Sequence, residues 1–299
     1  MQAAPALEDA PPSLDESTWT ASADELPLST RFRLQAEITP LQRAFLEQHG
    51  FLVFSRVASQ PEVDAILAEV QRITDELVES GQRSIFGVPI WMGTGPDGAP
   101  LLQRMAFTST LSPMLREFVT HERFEPVRKL IGDDARIGHQ EKDGAVFNQY
   151  VSVDGSLRPN LAWHTDALRD VTYNWKPPGP MLNVGLHFDR IRPEDGGLYL
   201  LPGTHTQSVA STLFRKIHFV SQAPDKNELH VETWPGDLTV HDGRMWHRVE
   251  GSPKTGWESM RRSMYVPYVC DAYAPKDENS KPRMYHRLFD FIMKLKGSR

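Results

Sequence analysis

Residues 160–166 read Asn-Leu-Ala-Trp-His-Thr-Asp, a short apolar run that closes on an imidazole and a carboxylate two positions apart. Side chains two apart on a strand project to the same face, so His164 and Asp166 can grip one ion while Thr165 points away. Runs of similar length flank this one at 144–153, 181–188, 197–201, 237–241 and 263–269, each bounded by glycine, proline or polar turn residues. Many short strands at such spacing predict a mainly β sandwich or barrel of the jelly-roll kind, with α-helices outside it.

The helices come first. Thr39-Pro40-Leu41-Gln42 carries an N-cap, a proline at the first helical position and a glutamine three residues after the cap, and Gly50 ends the segment. Gly50-Phe51-Leu52-Val53-Phe54 reads as a buried strand. Ser59-Gln60-Pro61-Glu62 then opens a second helix with apolar side chains at Val63, Ile66, Leu67, Val70 and Ile73. Loops and short strands are expected from about 81 to 111, and one helix from Leu111 to Leu130, closed by Gly132. Residues 1–30, rich in Ala, Pro, Ser, Asp and Glu, read as a flexible tail or as a strap laid on the domain. Residues 31–299 read as one domain: a helical layer over about 38–132, a β core over about 135–270 and a C-terminal helix over about 282–297.

Composition narrows the function. A net charge of −6 argues against a nucleic-acid binder, which needs Lys and Arg in excess on one face, and favours a small-molecule partner. The single cysteine, Cys270, excludes a disulfide framework and thiolate zinc sites and suits a reducing, cytoplasmic setting. No apolar run has the length of a membrane span, and the first residues lack the pattern of a secretory signal. A monomer or homodimer is expected.

Two imidazoles and one carboxylate on one side of a metal suit Fe(II) and leave positions open for chemistry. His247 is the choice for the distant third ligand, although His-x-Asp alone also fits a surface or structural pair. His205, in Pro202-Gly203-Thr204-His205, is its rival. His187 and His241 sit in strand-like runs and suit satisfied core or pocket histidines. His121-Glu122 lacks the second histidine of a zinc-protease helix.

Gly50-Phe51-Leu52-Val53, the His164-Thr165-Asp166 triplet, Gly196 to His205, Gly236-Asp237 ahead of His247, and Arg261-Arg262 occur in an order that resembles the phytanoyl-CoA dioxygenase family of iron and 2-oxoglutarate oxygenases. The resemblance covers about residues 38–270 and implies a double-stranded β-helix core. It also implies that His164, Asp166 and His247 bind iron, that Arg261 holds the far carboxylate of 2-oxoglutarate, and that His205 belongs to a turn. Adjacent strand residues face opposite ways, so only one of Arg261 and Arg262 can look into the barrel; Arg262 stays a competitor, because the gap from His247 is longer than the family's. Asn148 or Gln149 could hydrogen-bond the cosubstrate or substrate, or be ordinary strand amides. Trp163, Trp175, Trp246 and Trp257 could wall a substrate pocket together with His187, or simply pack. The proline-stiffened connection from Val171 to Pro180 suits a lid.

The implied reaction consumes O2 and 2-oxoglutarate, releases succinate and CO2, and oxidises a small molecule. Hydroxylation is the expected outcome, with desaturation, epoxidation and ring formation open to the same oxidant. A carboxylate at Asp166, where related halogenases carry Gly or Ala, argues against halogenation. The expected substrate is a small biosynthetic or natural-product intermediate, with an acyl-CoA or amino acid as the alternative, since no basic cluster for CoA phosphates flanks the motifs. A binding protein of the same shape and a Zn(II) hydrolase on the same residues are the readings from other classes.

Overall fold

Helix α1 (Pro40–His49) begins at a reciprocal cap. The Thr39 hydroxyl accepts the Gln42 N–H at 3.1 Å, and the Gln42 side-chain oxygen accepts the Thr39 N–H at 3.3 Å. The helix ends at Gly50, whose φ of +83° favours glycine and where a Cβ would run into His205 and Met245. Strand β1 (Phe51–Phe54) follows, buried on both faces, and then α2 (Gln60–Ser80), which buries Val63, Ile66, Val70, Ile73 and Leu77 along one stripe. The computed structural model describes residues 10–19, 22–154, 156, 159–167, 179–271 and 273–281, so the C-terminal helix expected over 282–297 lies outside the described residues.

The segment read as loops and short strands carries β2 (Ser84–Ile85), β3 (Val88–Pro89), β4 (Trp91–Thr94) and β5 (Pro100–Met105), the last two extending the main sheet. The single helix expected from Leu111 to Leu130 is instead broken into α3 (Thr108–Leu111), α4 (Pro113–Val119) and α5 (Glu125–Arg128), with 3-10 turns around the last. Prolines are the cause. Pro113 forces Ser112 into extended backbone, φ −141° and ψ 122°, and Ser112 then caps α4 by accepting the Leu115 N–H. Pro126 likewise starts a new turn.

The β core comprises β6 (Arg136–Ile137), β7 (Val146–Ser152), β8 (Leu161–His164), β9 (Met181–His187), β10 (Gly197–Leu200), β11 (Leu229–His230), β12 (Leu238–Asp242), β13 (His247–Glu250) and β14 (Gly256–Val269), with helix α6 (Val209–Arg215) before β11. Among the described residues the large sheet runs β1-β12-β9-β14-β7-β5-β4, and β6 pairs with β14. The small sheet runs β11-β10-β13-β8. The two face each other as the double-stranded β-helix requires. Strand period decides what each face carries. Leu238, Val240, Leu182, Val184, Leu186, Met264 and Val266 turn outward into the apolar core shared with α1 and α2. The alternate positions of the same strands turn inward and make a polar wall, with Thr239, His241, His187 and Ser263 buried and Asn183 and Tyr265 half-buried.

Part of the segment read as tail or strap lies against the domain. Ala23 and Leu26 are buried in the main core, and Phe32 exchanges backbone bonds with Val53 and Ser55 of the β1 region. Arg31 forms a buried ion pair with Asp237 at the start of β12, donates to Ser55 Oγ and Glu232 O, and covers the Trp234 ring. Asp237 also accepts the Trp234 N–H at 2.6 Å and the Arg56 N–H at 3.1 Å. No helix among the described residues is long and apolar enough to cross a membrane. Replacing Arg31 with Met strands a buried carboxylate, and chemical denaturation should register a loss of about 3–5 kcal/mol. The double variant Arg31→Met/Asp237→Leu should recover most of it; equal stability of wild type and Arg31→Met would show that the pair contributes nothing.

Candidate metal centre

His164 on β8 and His247 on β13 are direct partners in an antiparallel register, so their side chains leave the small sheet on the same face. Their ring centroids are 4.0 Å apart. Asp166, just past the end of β8, brings Oδ2 to 3.6 Å from His247 Nε2. One ligand-type atom from each of the three residues lies within 4.8 Å of the others, and all three residues are buried. The sequence had proposed these three, and the fold brings them together.

The orientation of the imidazoles is fixed from behind. His164 Nδ1–H donates to the Ala162 carbonyl at 2.9 Å, and His247 Nδ1–H donates to the Met245 carbonyl at 3.1 Å. Both bonds select the tautomer whose Nε2 carries the lone pair, the arrangement common for metal-binding histidines. Asn183 donates its amide to Asp166 Oδ2 and stands 3.4 Å from His241 Nε2. Asn183 was missed in the sequence, yet a signal was there. In Met181 to His187 the polar or small residues Asn183, Gly185 and His187 alternate with apolar ones, which marks them as one inward face.

His241 and His187 line the same wall. The His241 ring lies 4.7 Å from that of His247, and burial holds its pKa well below the ordinary value. His187 Nε2 meets Thr239 Oγ1 at 2.9 Å, and burial pushes its pKa down to about 3, so it is a neutral, satisfied histidine beside the site. His205 bonds the Glu47 carbonyl at 3.0 Å and fastens its turn to the end of α1.

The two arginines separate cleanly. Arg262 makes a bidentate pair with Asp189, Nη2 to Oδ1 at 2.6 Å and Nε to Oδ2 at 3.1 Å, and so already has its carboxylate. Arg261 shares its face with Ser263 and Tyr265 and is 4% exposed. Its guanidinium donates to the carbonyls of Ser259, Glu250 and Pro159 and lies over Tyr150; among the described residues no carboxylate comes within ion-pair distance of it. Burial pulls its pKa down to about 10, as expected of a cation short of a counter-charge. Asn148, opposite Ser263, also faces inward, and its side-chain oxygen is buried without a partner. Gln149 pairs with Arg262 in register and therefore turns to the other face, against the expectation that it shares the site.

Two tryptophans read as pocket walls are not. Trp163 and Trp246 are each one residue from a ligand histidine, so strand alternation sends them to the back of the small sheet, where they form a separate apolar cluster with Leu201. Trp163 Nε1 donates to the Ala223 carbonyl there. Trp257 is 42% exposed. Trp175, and the connection around it up to Pro178, lie outside the described residues.

Asn183→Ala should weaken Co(II) or Mn(II) binding by about tenfold or more, the usual effect of losing a group that orients a ligand. Titration calorimetry would measure it, and an unchanged affinity would mean that Asp166 is held by other means.

A family model for phytanoyl-CoA dioxygenase (PhyH) matches residues 46–254. Comparison with curated protein sequences finds no match. Among solved structures the fold is similar to that of EctD from S. alaskensis with 2-oxoglutarate and 5-hydroxyectoine (TM-score 0.58, 16% identity, covering 83% of this chain and 83% of that one). It is similar also to SnoK, a non-heme alpha ketoglutarate dependent carbocyclase from nogalamycin biosynthesis (0.56, 20%, 87% and 91%). A third similar structure is AviO1 from Streptomyces viridochromogenes Tue57 (0.54, 19%, 78% and 95%).

Proposed function

The chain belongs to the phytanoyl-CoA dioxygenase (PhyH) family, and on that footing we propose that it is an Fe(II)- and 2-oxoglutarate-dependent oxygenase that hydroxylates a small biosynthetic intermediate. His164, Asp166 and His247 hold the iron, and Arg261 binds the far carboxylate of 2-oxoglutarate. The observation that carries this reading is the convergence of ligand atoms from three buried residues within 4.8 Å, two on neighbouring paired strands and the third just past the end of one of them. The donor set fits the group: two neutral imidazoles and one carboxylate suit Fe(II) and leave coordination positions for cosubstrate and O2. Iron held there would couple the reduction of O2 to the oxidation of 2-oxoglutarate, to succinate and CO2, and of the substrate.

What the chain contributes is placement and exclusion. The Ala162 and Met245 carbonyls keep both Nε2 atoms aimed at one point, and Asn183 steadies the carboxylate. Arg261 reaches from β14 to the small sheet near the Glu250 end of β13, three residues along from His247. Its planar fork suits a carboxylate better than an ammonium would. Asn148 offers an unpartnered oxygen to a donor on substrate or cosubstrate. The buried inner wall keeps bulk water out. Asp166 occupies the position that a halide would need, which favours oxygenation over halogenation.

The neighbour from nogalamycin biosynthesis supports a natural-product substrate over an acyl-CoA. The cations flanking the ligand strands support it too: Arg215 and Lys216 pair with Asp225, and Arg248 with Glu228, so they are not free for CoA phosphates. Cys270, the only cysteine, agrees with a reducing compartment such as the cytoplasm.

Protein reconstituted anaerobically with Fe(II) should form succinate from 2-oxoglutarate when O2 is admitted, and His164→Ala and Asp166→Ala should fall to background. Arg261→Gln should weaken 2-oxoglutarate binding by about 30-fold, roughly 2 kcal/mol for a lost charge-assisted pair, while Arg262→Gln leaves it within about twofold. Turnover that ignores O2, or an Arg262 effect larger than that of Arg261, would sink the assignment.

A further inference from the structure

Exposed apolar surface is concentrated in one place. Of the six large hydrophobic side chains exposed among the described residues, four fall between positions 214 and 220: Phe214 at 87%, Ile217 at 68%, Phe219 at 48% and Val220 at 65%. A contiguous apolar strip on an otherwise polar surface marks a contact site more often than chance exposure does.

This strip is built, and it touches the metal centre. Phe219 N–H donates to the Trp163 carbonyl and Trp163 N–H to the Ser221 carbonyl, both at 2.9 Å, so the run lies along the edge of β8. The turn is closed by the Ile217 carbonyl, which accepts from Val220 and Ser221, and by Ser221 Oγ, which accepts the Ile217 N–H at 3.1 Å. Phe219 adopts φ +60°, a left-handed conformation that a bulky residue takes only when its surroundings impose it. The result is a ring stacked on the His164 imidazole at 4.8 Å and 27°, with about half of the residue still open to solvent.

Charge is turned away from this strip. Lys216 pairs with Asp225 at 3.0 Å and lies over Trp163, and Arg215 approaches the same carboxylate at 3.7 Å. No unpaired cation of the strip is left to receive a carboxylate or phosphate.

We propose that the 214–220 strip is the outer wall of the substrate site, with Phe219 as its specificity-determining side chain, and that it receives an uncharged apolar portion of the substrate of ring size or larger. This rests on the metal assignment for its place beside the reacting centre, because Phe219 touches a proposed iron ligand.

The test uses the full chain loaded with Mn(II) and two probes that share one ring system, 2-naphthol and the charged 2-naphthoate. Calorimetry reads affinity, and broadening of probe proton resonances by Mn(II) reads proximity to His164. The expected result is that 2-naphthol binds at least tenfold more tightly than 2-naphthoate and is broadened only in the Mn(II) form. In Ile217→Ser/Val220→Ser and in Phe219→Ser the naphthol affinity should fall about tenfold, with Mn(II) affinity of the first variant unchanged. Binding that the variants leave untouched, a preference for the carboxylate, or binding without broadening in protein shown to hold Mn(II) would overturn the proposal. So would loss of a dimer on Ile217→Ser/Val220→Ser in sedimentation, which would make the strip a subunit interface. Failure of Mn(II) to bind would instead defeat the metal assignment, and the variants' naphthol affinities would still decide whether the strip binds apolar rings.

Discussion

His164 and His247 meet because β8 and β13 are antiparallel neighbours with those two residues in register. A slip of one position in either strand would turn its imidazole to the back of the sheet, away from the other, and bring the neighbouring tryptophan forward in its place. Everything at the centre depends on that register. It is pinned by the tryptophans, which fill the cluster behind the sheet, and by β10, whose Leu200 pairs with His247 from the other side.

The large sheet shows the same economy of two faces. Its outward side chains bury against α1 and α2 and contribute most of the apolar core, while its inward ones form a polar lining that a small apolar core could not tolerate without partners. His187 with Thr239, and Asn183 between Asp166 and His241, show how those polar groups are satisfied. Asn148 and Arg261 are two places on this lining where satisfaction is incomplete, one for want of a donor and the other for want of an anion, and His241 Nδ1 is a third. Asn148 and Arg261 both lie on the inward face of the large sheet, across from the small sheet that carries the two ligand histidines. An unpartnered buried oxygen and a buried cation without a counter-charge on one inner face are what a site awaiting a ligand looks like.

Much of this was legible in the residues. The cap at Thr39 and the strand runs of the β core follow from local chemistry, the structural use of His205 from the resemblance, and the structure agrees on each. The order of motifs, more than any one of them, led to the three metal-type residues and to Arg261. Other features escaped for identifiable reasons. Nearness to a ligand in sequence suggested that Trp163 and Trp246 line the pocket, whereas alternation along a strand puts nearest neighbours on opposite sides. The same rule separates Asn148 from Gln149. Apolar spacing suggested one helix over 111–130, but proline geometry at Pro113 and Pro126 outweighs spacing. Phe219 could not be found from sequence, since its importance comes from a left-handed turn folded onto His164.

The pairing of β1 with β12 has a consequence for how the chain is made. Phe51-Leu52-Val53-Phe54 leaves the ribosome well before its ladder partner Leu238–His241, and the Arg31 contact to Asp237 waits for the same stretch. Until that stretch emerges the nascent polypeptide carries four adjacent greasy residues with an open strand edge, a template for mispairing between chains. Long-range closure of this kind is slow. Any product terminated before Asp237 lacks the strand that pairs with Phe51–Phe54, and that unpaired apolar run is what a holdase chaperone would meet.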